Sequence, residues 1–179
     1  MSDVLYGLVG SSALADTGLF TDAPLHRQRE TLSDPPAKEI EVSLPGVTWR
    51  VRLLGDDPVW VYEVLSGIKR LAMLPANWDS YGAHTIQSDA ARRGLILLAE
   101  VMQHDSPAPS IVPTSTGGVQ FEWHRLGIDL EIEIDPNEEP TVWYHEAASG
   151  EEWESEPDTN LKEVLEGFVA RLRPRDPNP

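Results

Sequence analysis

Between Gly117 and Asp135 the chain reads GGVQFEWHRLGIDLEIEID, and five of its side chains could do chemistry: Glu122, His124, Asp129, Glu131 and Glu133. Large apolar residues alternate with them. If Leu126-Gly127 is a two-residue hairpin turn, Arg125 opposes Ile128, His124 opposes Asp129, and Glu122 opposes Glu131. Side chains of a strand alternate between faces. One face then takes Val119, Phe121, Trp123, Leu130, Ile132 and Ile134. The other takes Gln120, Glu122, His124, Asp129, Glu131 and Glu133.

Three chemistries fit that second face. Water over it makes an ordinary half-buried sheet. A basic partner over it makes the carboxylates acceptors for Arg or Lys in charge-assisted bonds. A divalent ion held by Glu122, His124 and Glu131 would make it a small metal-dependent hydrolase. Against the third stand the flatness of open sheet faces, since ligand sites are concave, and the lack of a second His at a spacing such as H-E-x-x-H. The reading adopted is a non-enzymatic binding face that needs no cofactor, with the hydrolase as the alternative.

Two further stretches carry candidate residues. In NWDSYGAHTI, Asp79 and Ser80 are suited to bond nearby backbone N–H groups and Gly82 to take positive φ. Trp78 and Tyr81 are expected to plug one end of the core. The alternative is a binding edge with Trp78 as platform beside Asp79 and His84. In WYHEAASGEEWESEPD, Trp143 and Trp153 sit among Glu146, Glu151, Glu152, Glu154 and Glu156. Aromatic residues often anchor interfaces, so both join the candidate contact set. The competing reading is a short strand over Glu151–Glu154 with Trp153 tucked over the sheet.

The elements that must position these residues follow from periodicity. KEIEVSLPGVTWRVRLL alternates about a Pro45-Gly46 turn and predicts a hairpin. Asp57 as N-cap and Pro58 at the first helical position predict a helix carrying Val61, Val64, Leu65, Ile68 and Leu71. Ser88 as cap predicts a second helix, with Leu95, Leu98, Ala99 and Met102 on one side. Strands are expected at 110–114, 119–124, 128–134 and 141–146, joined by short turns and therefore antiparallel. A last helix is expected over 159–172.

The whole reads as an α+β domain over residues 38–172. An antiparallel meander of four to five strands packs against two to three helices, preceded by a hairpin. Residues 1–37 are read as a flexible arm whose Leu5, Tyr6, Leu8 and Val9 dock back on the domain, and 173–179 as a disordered tail.

Composition narrows the function. The 179 residues contain no cysteine, which removes thiol catalysis and cysteine-based metal sites. Net charge is −16, and between Asp129 and Glu166 fourteen acidic residues stand against one basic residue, Lys162. A surface so charged repels phosphate backbones, which disfavours direct nucleic-acid binding, and it attracts basic proteins. No run reaches the roughly 20 apolar residues of a membrane helix. VLYGLVGSSALA lacks the positive start of a signal peptide, with Asp3 in its place, so a cytoplasmic location is expected.

The elements NWDSYGA at 77–83, VPTSTGGVQFEWHR at 112–125 and LEIEI at 130–134 resemble a family of small uncharacterised bacterial proteins with NWDxYGA and GGxQxEW motifs. The resemblance runs from about Leu74 to Trp153 and leaves out the N-terminal arm. It implies no reaction, so no catalytic role passes to any residue. The functional expectation rests on the residues themselves: capture of a basic protein, as antitoxins, immunity proteins and DNA mimics do, through Glu122, His124, Glu131, Glu133, Trp143 and Trp153.

Overall fold

A computed structural model describes residues 2–8, 37–155 and 160–174 of the chain. They form an α+β fold of three helices and two sheets. In chain order the elements are β1 (Ser2–Leu8), β2 (Ala37–Leu44), β3 (Val47–Leu54), α1 (Val61–Leu71), α2 (Ser88–Val101), β4 (Ser110–Pro113), β5 (Val119–Arg125), β6 (Ile128–Ile134), β7 (Thr141–Glu146), β8 (Glu151–Glu154) and α3 (Leu161–Arg171).

The five-stranded sheet is a simple meander in the order β4-β5-β6-β7-β8, every neighbour antiparallel. Each connection is short, and antiparallel neighbours are what short connections allow. The Leu126-Gly127 turn holds both residues at positive φ, 55° and 74°, the geometry that matches the twist of a two-residue hairpin. It sets the register in which Glu122 faces Glu131, His124 faces Asp129 and Phe121 faces Ile132.

The second sheet has the order β1-β3-β2. β2 and β3 form the hairpin expected around Pro45-Gly46. The N-terminal segment departs from the expected flexible arm. Ser2–Leu8 is a strand that runs parallel to β3, with a break in register between Leu5 and Leu8. That backbone pairing seats it on the domain. Residues 9–36, the rest of that arm, lie outside the described residues, as do 175–179 of the expected tail. Arg173, at the start of that tail, donates to Asp105.

α1 and α2 lie between the sheets, and α3 packs beside α2 with Phe168 against Tyr144 and Trp153. α1 meets β2 on one side and β4 on the other, while α2 meets β1 as well as β5 and β6. One continuous core runs from Val42 to Leu172 and takes in Trp49, Leu53, Trp60, Ile68, Leu98, Phe121, Leu130, Ile132, Tyr144 and Leu165. Two helical glycines set how closely the layers approach. A Cβ at Gly67 would lie 2.7 Å from Ile111 Cδ1, and one at Gly94 would lie 2.5 Å from Phe121 Cε2.

α1 starts later than its sequence signals suggest. Its N-cap is Trp60, not Asp57, and no side chain caps it. Asp57 is engaged elsewhere: its Oδ2 accepts from Lys38 Nζ and from the Tyr62 hydroxyl, each at 2.5 Å. Trp60 is fully buried and its indole N–H donates to Gln103 O at 3.0 Å. Burying that ring outweighs the modest gain of a capping carboxylate. Ser88 is likewise the first residue of α2 and not its cap; Gln87 is the N-cap, and its N–H bonds Gly117 O at 2.8 Å.

Candidate functional site

The five-stranded sheet turns its apolar side chains to the helices. Val119, Phe121, Trp123, Leu130, Ile132, Ile134, Val142 and Tyr144 are each no more than 2% exposed. The residues between them form the outer face, and the register arranges that face in rows across the strands. One row runs Ser110, Glu122, Glu131, Trp143, Glu154. The next runs His124, Asp129, His145, Glu152. A third runs Val112, Gln120, Glu133, Thr141. Six carboxylates share the face, and among the described residues no Lys or Arg does.

Local contacts soften the repulsion without removing the charge. Gln120 Nε2 donates to Glu131 Oε2 at 2.9 Å. His124 Nδ1 lies 2.8 Å from Asp129 Oδ1, and its Nε2 lies 3.6 Å from Glu122 Oε2. The bond to Asp129, helped by the charges of Asp129 and Glu122, holds the His124 imidazole above its ordinary pKa. His145 Nδ1 approaches Asp129 from the other side, 3.7 Å from Oδ2. Asp129 therefore sits between two imidazoles. Glu133 is half-buried, and burial is the main cause that pushes its carboxyl up, with Asp135 adding to it. Trp143 is half-buried, stacks on His145 with centroids 6.1 Å apart and planes 16° apart, and turns Nε1 toward Glu152 Oε1 at 3.4 Å.

Of the expected contact set, Glu122, His124, Glu131, Glu133 and Trp143 share this face. Trp153 does not. It pairs with Tyr144 across β7 and β8 and packs edge-on against Phe168, centroids 5.5 Å apart, on the helix side. The strand over Glu151–Glu154, the competing reading, explains this, because alternation sends Glu152 and Glu154 outward and Trp153 inward. Asp129, His145, Glu152 and Glu154 complete the face and were not in that set. Asp129 was already on this face by the pairing of β5 with β6, and counting alternate positions along 141–146 and 151–154 finds the other three once the last two strands are placed.

No set of three His, Asp or Glu side chains with metal-holding geometry exists among the described residues. Among the described residues, Glu122, His124 and Glu131 do not converge as such a set.

The loop candidates separate as well. Asp79 Oδ1 accepts from the backbone N–H of Tyr81 at 2.8 Å and of Ala83 at 3.0 Å, and these bonds hold its carboxyl below the ordinary aspartate range. Asn77 Oδ1 accepts from Gly82 N at 2.7 Å. Trp78 is half-buried and donates to His84 O at 3.3 Å. Tyr81 overturns its expected role as a core plug: it is 94% exposed. The turn that Asp79 and Asn77 tie together aims it at solvent. Ala83 is the buried residue there, at 3% exposure.

The two motif stretches meet in space. His84 N donates to Ser115 O at 2.9 Å, and a Cβ at Gly117, where φ is +93°, would lie 2.8 Å from Thr85 O. A Cβ at Gly118 would lie 2.4 Å from Ile134 O. Trp123 buries its ring and donates to Pro107 O at 2.8 Å. Asn77 and Asp79 thus shape the interhelix loop, Gly117 lets it meet the sheet, Gly118 lets β6 approach closely, and Trp123 ties β5 to the segment after α2.

No protein-family model matches the chain, and no curated protein or solved structure does. Among the described residues no helix is long and apolar enough to cross a membrane.

Proposed function

We propose that this chain is a non-enzymatic acidic interaction protein of the cytoplasm, and that the outer face of its five-stranded sheet binds a basic protein. Such capture is the kind of work antitoxins, immunity proteins and DNA mimics perform. One observation carries the reading: six carboxylates are laid out on one sheet face that bears no Lys or Arg among the described residues. Like charges opposite one another in a ladder oppose folding. A cationic surface docked on Glu122, Glu131 and Glu133 offsets that repulsion and replaces it with charge-assisted bonds. Long-range attraction to a field of one sign also speeds encounter.

A mixed Lys/Arg test peptide, titrated by calorimetry at low and high salt, tests this. Affinity is expected to fall as salt rises, because surface attraction is screened over about 10 Å at 0.1 M ionic strength. Glu131→Lys should weaken binding severalfold, while Glu166→Lys, which makes the same charge change on exposed α3, should leave most of it. Equal losses in the two variants would mean the net charge, not this face, is what the peptide senses.

A further inference from the structure

β7 places two aromatic residues side by side in sequence and on opposite faces of the sheet, Trp143 outside and Tyr144 inside. The inner one already holds a guanidinium. Arg171 of α3 lies with its Cζ 5.7 Å from the centroid of the Tyr144 ring, and its Nη1 donates to the Tyr144 hydroxyl at 3.1 Å. The same nitrogen lies 2.7 Å from Glu151 Oε2 and 3.5 Å from Glu146 Oε2. An aromatic ring with a cross-strand pair of carboxylates beside it, Glu146 facing Glu151, is how this sheet seats an arginine.

The outer face repeats those ingredients. Cross-strand register puts Glu131 of β6 on one side of Trp143 and Glu154 of β8 on the other. The indole N–H points to Glu152, and the stack on His145 fixes the plane of the ring. Among the described residues no Lys or Arg side chain of this protein shares that face.

We propose that Trp143, flanked by Glu131 and Glu154, is a receptor for an arginine side chain of the basic partner, a refinement that rests on the function proposed above. The guanidinium lies over the indole and donates to the flanking carboxylates. Arginine fits better than lysine because its planar group both stacks on an aromatic face and presents paired N–H donors to carboxylate oxygens. A methylated ammonium fits less well, since it is recognised by a cage of several aromatic rings and this face supplies one.

Two blocked peptides of equal charge, Arg-Ser-Arg and Lys-Ser-Lys, titrated against the whole protein decide the matter. The Arg peptide is expected to bind about three-fold tighter or better. In Trp143→Leu that ratio should collapse to about one while the affinity for the Lys peptide stays within about two-fold, since no charge has changed. Trp143→Phe should keep part of the preference, and it carries the test together with Glu154→Gln if the Leu variant does not melt cooperatively. Equal binding of the two peptides to the native protein, or a preference that survives Trp143→Leu, overturns the arginine receptor and leaves the anionic face standing. Failure of both peptides to bind overturns the face and the receptor together.

Discussion

The two faces of the five-stranded sheet are made by the same strands and follow opposite rules. Toward the helices, Phe121, Leu130, Ile132 and Tyr144 are fully buried and packed to contact. Toward the outside, Glu122, Glu131 and Glu133 remain half-buried, and Glu122 is left facing Glu131 across the ladder. Burial of the inner face stabilises the fold, while on the outer face the like charges of Glu122 and Glu131 repel across the ladder. The partners of the carboxylates differ too. Arg171 is locked over Tyr144 by Glu151 and Glu146, with its pKa raised chiefly by Glu151, whereas the outer carboxylates have imidazoles and an amide for partners.

The largest effect that sharpens this contrast is on the inner face. Phe121→Ala removes a fully buried ring that touches α2 and should destabilise by about 3–5 kcal/mol in a denaturant melt. Glu122→Gln, one residue along and on the other face, should change stability by no more than about 0.5 kcal/mol, and toward greater stability, because it removes a like-charge pair with Glu131. A clear destabilisation there would break the contrast by showing that the outer carboxylates secure the fold.

The smallest effect is a titration. His124 should titrate by NMR above the ordinary 6.5, and Asp129→Asn should bring its midpoint down. A raised folded-state pKa means that the His124–Asp129 pair favours the fold at pH below the unfolded-state value. That contribution is lost as pH rises through the folded value. His124 is 53% exposed, so this should be a slight slope on stability and not a switch.

Much of the sheet was legible because hairpin geometry is local. Leu126-Gly127 sets the pairing of β5 with β6, and once that turn is placed the period of two assigns every side chain from Val119 to Ile134 to a face. What periodicity cannot read is the neighbour that arrives from far along the chain. The parallel seat of Ser2–Leu8 on β3 depends on a partner more than forty residues away. Asp57 looked like a cap because Asp-Pro is good capping chemistry, yet Lys38 and Tyr62 claim its carboxylate. Tyr81 looked like a core plug by residue type, but Asn77 and Asp79 spend their side chains on a turn that points it outward. Trp153 entered the contact set by composition, while the competing strand over Glu151–Glu154 already tucked it over the sheet, and its pairing with Tyr144 bears that strand out.

The central claim is that cations meet this molecule on the outer face of β5–β8. Amide chemical-shift mapping with the mixed Lys/Arg peptide tests it most directly. The account predicts that the shifts cluster on Glu122, His124, Glu131, Glu133, Trp143 and Glu154. Shifts concentrated instead on α3, or on the loop around Tyr81, with those six residues unmoved, would contradict it.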